Sequence, residues 1–163
     1  MATRSLAMQN GSNKLIRNAQ VNDVPLIREL INEYAEQGRM LFRSLSDLYE
    51  SLRDFIVFEQ DGQVVGCCCL HIYWSDLAEI KSLAVSPGFQ GRGIGKALVE
   101  AAAVQARKLK LPKLFTLTLE SEFFRKLGFT HIPMDSLPHK VWSDCLRCPK
   151  QDHCDEIAML REI

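Results

Sequence analysis

The stretch GFQGRGIGKA, residues 88–97, holds four glycines and two cations, Arg92 and Lys96, and no acidic residue. It follows a segment with the pattern of a strand and precedes an alanine- and leucine-rich segment with the pattern of a helix. The first N–H groups of a helix lack intrahelical partners and lie at the positive end of the helix dipole. Glycines let such backbone approach an anion closely, so the stretch predicts a phosphate-binding loop rather than a simple connecting turn.

The spacing of the glycines excludes two common kinds of phosphate-binding loop. A Walker A loop would need glycine at position 90 and serine or threonine at 97, where the chain has Gln90 and Ala97. The dinucleotide pattern G-x-G-x-x-G also fails, because Lys96 occupies its last glycine position. The pattern that fits is Q-x-x-G-x-G, formed by Gln90, Gly93 and Gly95.

A second group of chemically active residues lies in the segment before the loop. In AEIKSLAVSP, residues 78–87, strand alternation predicts that Glu79, Lys81 and Leu83 share one face. A carboxylate there could act as a general base, and a cation could bind an acidic substrate. Glu79 has the alternative of facing solvent or pairing with a cation. Arg43 is a further candidate cation, whose alternative is a solvated surface charge.

The elements that position these residues can be read from hydrophobic periodicity and turn signals. Helices alternate with strands only in the second half, which predicts a mixed sheet flanked by helices. After Phe129 the chain reads as polar and irregular. The predicted strands are 14–19, a hairpin over 54–73, 78–87 and 113–119, with one further strand after the last helix to which no residues are assigned. The predicted helices are 22–38, one from 46, 93–109 and 121–128.

Composition limits the class of protein. The chain has 163 residues and a formal net charge of zero, which suits one globular domain and argues against a nucleic-acid binder. It shows no apolar run of the roughly 18 residues needed to span a bilayer and no convincing secretion signal. We therefore expect a cytoplasmic protein with reduced thiols. A homodimer is compatible with the sequence, which does not determine the oligomeric state.

Two stretches resemble the GNAT superfamily of N-acetyltransferases. LAVSPGFQGRGIGKALVEAA, residues 83–102, is similar to the acetyl-CoA motif of that family, and FFRKLGF, residues 123–129, is similar to its FYxKxGF marker. The resemblance covers residues 14–131 and implies an α/β fold with a mixed, mostly antiparallel central sheet flanked by helices. Residues 1–13 then read as a flexible leader, and 132–163 as a cysteine-containing extension packed on the same domain.

A more specific resemblance indicates which molecule accepts the acetyl group. DLAEIKSLAV at 76–85, RS at 43–44 and the tail that begins LPHKVWSDCLRCPK are similar to single-domain N-acetylglutamate synthases of arginine biosynthesis. This implies acetyl transfer from acetyl-CoA to the α-amine of L-glutamate by direct attack in a ternary complex. Two alternatives stay open: an acetyltransferase for another small amine or a protein, and a non-catalytic acyl-CoA sensor with a cysteine-based metal or redox switch.

The resemblance also implies roles for individual residues. Glu79 would be the general base, while Arg43 and Lys81 would bind the small-molecule amino-acid substrate. Many GNAT enzymes protonate the leaving thiolate with a tyrosine at the position of Phe124; here Tyr73, another group or water supplies that proton, or no acid is needed. The implied contacts to acetyl-CoA are Leu83, Ala84, Val85, Gln90, Gly91, Arg92, Gly93, Ile94, Gly95, Lys96, Phe123 and Phe124.

The six cysteines fall into two groups. Cys67–Cys69 are consecutive in an apolar strand, where they read as small core residues. Cys145, Cys148 and Cys154 lie in the polar tail and could bind zinc or an iron–sulfur centre. The tail has only one C-x2-C pair, so free or redox-active thiols are the preferred interpretation.

Overall fold

The computed structural model describes residues 11–142 and 154–163 of the chain. Within these ranges, strands and α-helices are joined by short 3-10 turns. The strands are β1 (Lys14–Asn18), β2 (Phe55–Gln60), β3 (Gln63–Trp74), β4 (Leu77–Val85), β5 (Lys113–Thr118), β6 (Thr130–Ile132) and β7 (Ile157–Glu162). The helices are α1 (Val24–Glu36), α2 (Leu45–Glu50), α3 (Ile94–Lys108) and α4 (Ser121–Lys126).

The strands form one sheet in the order β1-β2-β3-β4-β5-β7-β6. All neighbouring strands are antiparallel except β4 and β5, which run parallel because α3 crosses over between them. The expectation of a mixed, mostly antiparallel sheet flanked by helices is therefore confirmed. None of the helices in the described ranges is long and apolar enough to cross a membrane.

Strand β7 was missed by the sequence analysis, which expected polar, irregular chain after Phe129. It inserts between β5 and β6 and pairs with β5 along its whole length, from Ile157 opposite Thr118 to Glu162 opposite Lys113. Its apolar run is short and follows a polar tail, so periodicity alone does not distinguish it from a loop. Pairing with the rest of the sheet decides its conformation.

Helices cover both faces of the sheet. On one face, α1 buries Ile27 and Ile31 against the sheet, and on the other, α3 buries Leu98 and Val99. All four side chains are fully buried, and each such burial stabilises the fold by roughly 1.5–3 kcal/mol. The ends of both helices are thereby held in place beside β4.

The start of α3 lies close to β3 at Gly66. A Cβ atom on Gly66 would lie 3.1 Å from both Ile94 Cγ2 and Leu98 Cδ1. A Cβ atom there would require Ile94 and Leu98 to shift, so glycine at this position allows the first turn of α3 to approach the sheet closely. The close approach fixes the glycine-rich loop next to the end of β4.

Candidate functional site

A large cleft opens where β4 and β5 stop pairing. The two strands pair only from Leu77 opposite Lys113 to Glu79 opposite Phe115, and the Thr116 hydroxyl then donates to the Ile80 carbonyl at 3.0 Å. Beyond that point the cleft, about 1470 Å³ in volume, lies between the carboxyl ends of the two strands. An ordinary small-molecule site measures roughly 300–1,000 Å³, so this cleft has room for two ligands side by side.

Strand β4 carries a bulge at the cleft, which corrects one sequence prediction. Lys81 pairs with Cys69, but the next pair joins Ala84 to Cys67, and Ser82 has a φ of 51°. The extra residue breaks the alternation, so Leu83 packs with the core under α3 instead of sharing the face of Glu79 and Lys81. Glu79 and Lys81 do share one face, as the spacing predicted.

The glycine-rich loop forms the wall of the cleft at the start of α3. Gly91 and Gly93 have φ values of 74° and 79°, which only glycine adopts without strain. The first helical hydrogen bond runs from the Ala97 N–H to the Gly93 carbonyl at 3.0 Å. The N–H groups from Ile94 to Lys96 therefore have no partner within the helix and are available to a phosphate.

A tyrosine from α1 holds the loop against β4. The Gln90 side-chain amide donates to the Tyr34 hydroxyl, which in turn donates to the Val85 carbonyl. Burial raises the pKa of the Tyr34 hydroxyl, so it keeps the proton that it donates. The sequence does not indicate this role, because Tyr34 continues the apolar spacing of α1 and resembles a core residue.

The two phenylalanines of α4 border the cleft in different ways. Phe124 is 4% exposed and packs edge-on against Phe123 and Phe129, so it belongs to the core. Phe123 lies against the loop, where a Cβ on Gly95 would come within 3.3 Å of its ring. Gly95 therefore allows α4 to pack closely against the first turn of α3.

The opposite side of the cleft carries the titratable residues. Glu79 is only 5% exposed and lies opposite His71 in the β3–β4 ladder. The Tyr73 ring lies edge-on to His71, with centroids 4.8 Å apart, and Lys81 Nζ lies 5.9 Å from the centre of the Tyr73 ring. A carboxylate, a cation and a phenol thus surround one part of the cleft.

Arg43 reaches the same part of the cleft from the loop after α1. Its guanidinium donates to the hydroxyls of Ser51 at 3.0 Å and Ser82 at 3.3 Å, and lies over the ring of Phe55. These contacts use neutral groups, and no carboxylate of the described residues forms an ion pair with Arg43. Its positive charge is therefore available to an anionic ligand.

The cleft brings together most residues that the sequence singled out. Two predicted residues do not border the cleft. The side chain of Ala84 is buried in the core under α1, and the guanidinium of Arg92 lies over the ring of Phe89. The predicted residues that border the cleft are Arg43, Tyr73, Glu79, Lys81, Leu83, Val85, Gln90, Gly91, Gly93, Ile94, Gly95, Lys96, Phe123 and Phe124.

The cysteines of the described residues are either buried in the core or exposed at the cleft. Cys67–Cys69 are fully buried free thiols, as expected of core residues, and burial raises their pKa. Cys154 is exposed and borders the cleft, whereas Cys145 and Cys148 lie outside the described residues. Within 11–142 and 154–163, no cluster of three or more His, Cys, Asp or Glu side chains could hold a metal ion.

Comparisons with known proteins agree with this geometry. Residues 51–131 match the family model of the GNAT acetyltransferase domain. An uncharacterized N-acetyltransferase of Chlorobaculum tepidum is 43% identical over 91% of this chain and 96% of its own. An amino-acid acetyltransferase of Mycobacterium tuberculosis is 42% identical over 82% of this chain and 78% of its own.

A solved structure of a similar protein contains coenzyme A. The crystal structure of N-acetylglutamate synthase from Neisseria gonorrhoeae, complexed with coenzyme A and N-acetyl-glutamate, matches with a TM-score of 0.84 at 32% identity. The match covers 94% of this chain and 36% of that one. The relatives are named as enzymes, which favours catalysis over the sensor alternative. The chain therefore belongs to the GNAT family of N-acetyltransferases, enzymes that use acetyl-CoA as the acetyl donor.

Proposed function

We propose that this enzyme acetylates the α-amine of an amino acid and that its acceptor is L-glutamate, the substrate of the first step of arginine biosynthesis. The observation that carries the proposal is the presence of two cations, Arg43 and Lys81, on the side of the cleft that holds Glu79. Glutamate brings two carboxylates, and each needs a cationic or hydrogen-bonding partner when it leaves water. The names of the amino-acid acetyltransferase and N-acetylglutamate synthase relatives support this choice.

The chain supplies a site for the acetyl donor along the open edge of β4. The N–H groups from Gly91 to Lys96 bind the diphosphate of the nucleotide, and main-chain groups of Leu83 and Val85 pair with the pantetheine arm. Bound acetyl-CoA supplies a thioester carbonyl to the acceptor. A main-chain N–H near Leu83 stabilises the negative charge that develops on that carbonyl oxygen.

The acceptor amine has to lose a proton before it attacks. An α-amino group has a pKa of about 8 or above, so it is largely ammonium at neutral pH, and the ammonium form has no lone pair to donate. Glu79 accepts the proton, and a positioned general base contributes roughly 10²–10⁴-fold to the rate. Tyr73 is our candidate for the group that protonates the departing thiolate, because it lies within the same cluster of side chains.

The experiment that tests this proposal is a screen of amino acids with acetyl-CoA, in which mass spectrometry detects the acetylated product. We expect N-acetylglutamate as the main product. Lys81→Met should raise the KM for glutamate by about 10- to 100-fold, because a charge-assisted hydrogen bond contributes about 1.5–3 kcal/mol. Lys108→Met is the matched control, since Lys108 is an exposed residue in the last turn of α3.

Each outcome of the screen has a defined meaning. Acetylation of no amino acid at all would overturn the proposed function. Turnover of another amino acid in preference to glutamate would retain the reaction and overturn the acceptor. If Lys81→Met acetylates glutamate with an unchanged KM, Lys81 is not a binding residue. Comparing glutamate with glutamine in the Lys81 and Arg43 variants identifies the cation that binds the side-chain carboxylate, because only that variant loses the preference for glutamate.

A further inference from the structure

The proposed reaction releases a proton that has to leave the active site. When an ammonium group becomes an amide N–H, it releases two protons. The forming N–C bond and the breaking C–S bond leave a thiolate that takes one of them. The other has to reach solvent from Glu79, which is only 5% exposed. A titratable neighbour that also contacts solvent can carry this proton out of the site.

His71 is that neighbour. It lies directly opposite Glu79 in the antiparallel β3–β4 pair, so both side chains point to the same face with Cβ atoms about 4.5–5.5 Å apart. Its side chain is 39% exposed, whereas Glu79 is buried. An imidazole at this place can receive a proton from the buried carboxyl, directly or through one water, and release it to bulk solvent.

Asp54 fixes the orientation of the His71 ring. Asp54 ends the 3-10 turn before β2, and its Oδ2 lies 2.9 Å from His71 Nδ1. A carboxylate at this distance accepts the Nδ1–H, which leaves Nε2 as the proton acceptor of the neutral ring. The same carboxylate stabilises the imidazolium that forms after proton uptake.

Three other titratable side chains lie near His71: Tyr73, Lys81 and Lys140. Tyr73 contacts the ring from the same strand, and Lys81 Nζ on β4 lies 5.9 Å from the centre of the Tyr73 ring. Lys140 borders the small cavity that His71 and Tyr73 also line. His71 itself combines adjacency to Glu79, a carboxylate partner and contact with solvent.

We propose that His71, oriented by Asp54, carries the proton from Glu79 to solvent in each turnover. His71 takes the proton on Nε2, and Glu79 returns to its carboxylate form. The imidazolium then gives the proton to water and is neutral again before the next cycle. The inference rests on the proposed acetyl transfer to an amine, whichever amine the screen identifies.

The test compares His71→Gln with the wild-type enzyme in weakly buffered solution, with and without added imidazole. Glutamine can still hydrogen-bond to Asp54 but cannot relay a proton. We expect kcat to fall at least about tenfold, with unchanged KM values for both substrates, and to recover as the imidazole concentration rises. His131→Gln, at an exposed position on β6, should behave like wild type.

A merely structural role for His71 would not give recovery by imidazole. An unchanged kcat in His71→Gln, or a loss that imidazole does not restore, overturns the relay while wild-type turnover keeps the proposed function. Absence of turnover by the wild-type enzyme overturns both. If His71→Gln does not fold, His71→Ala is measured in the same way, and the same two results overturn the relay.

Discussion

The substitution Gly93→Ala tests whether the loop conformation is what binds the cosubstrate. Gly93 has a φ of 79°, and a Cβ atom built on it meets no heavy atom within 4 Å. Space is therefore not the obstacle, and the whole effect of alanine comes from the left-handed backbone conformation. Gly62 in the β2–β3 turn has a φ of 82° and equally open surroundings, so Gly62→Ala is a matched control.

The expected magnitude follows from the backbone conformation. A non-glycine residue in the left-handed region costs about 1–2 kcal/mol. If the loop of Gly93→Ala relaxes in the free enzyme, binding has to restore the strained conformation. The Kd for CoA should then rise by about 5- to 30-fold, because 1.4 kcal/mol corresponds to a factor of ten. Gly62→Ala should lower stability by a similar amount and leave the Kd unchanged.

Calorimetric titration with CoA, combined with thermal unfolding, measures both quantities. We expect weaker CoA binding in Gly93→Ala alone. A Kd for Gly93→Ala equal to that of wild type would refute the role of the loop. Equal weakening in both variants would show that lower stability, and not the loop, reduces binding.

Three further predictions concern other parts of the molecule. Asp23→Asn should lower the free energy of unfolding by about 2 kcal/mol at pH 7, because Arg17 donates to the Asp23 carboxylate at 2.7 Å and lowers its pKa. Since that pKa is depressed in the folded state, the difference in unfolding free energy between wild type and Asp23→Asn should be constant above about pH 4 and shrink at lower pH. Urea titrations in which this difference does not shrink would count against the ion pair. Tyr34→Phe should raise the Kd for CoA about fivefold by losing the hydroxyl that joins Gln90 to β4, whereas unaltered affinity would exclude that role. Alkylation of the folded protein at pH 8 should not label Cys67, Cys68 and Cys69, because burial raises the pKa of these thiols, to about 12 for Cys67 and Cys69. Peptide mapping that finds these cysteines labelled before unfolding would contradict their burial.

The parts of the site that follow from local chemistry could be predicted from sequence. Gly91 and Gly93 mark the loop because their positive φ values favour glycine, and that requirement is visible in the residue types. Glu79 and Lys81 stand out because charged residues in an apolar strand need a polar cleft or a partner. Their shared face follows from a two-residue spacing, which no bulge interrupts.

The parts that depend on contacts distant in the chain could not be predicted. The bulge at Ser82 arises in the pairing with β3, so the alternation that placed Leu83 beside Lys81 was wrong. Strand β7 becomes a strand through pairing with β5 and β6. The pairing of Asp54 with His71 joins residues 17 positions apart, and neither residue type indicates the other.

A crystal structure of the protein with acetyl-CoA would locate the diphosphate relative to the glycine-rich loop. We expect diphosphate oxygens to lie about 2.7–3.2 Å from N–H groups between Gly91 and Lys96. We also expect the thioester carbonyl to face a main-chain N–H near Leu83, on the open edge of β4. A cosubstrate bound elsewhere, with its diphosphate away from this loop, would mean that the loop does not bind acetyl-CoA.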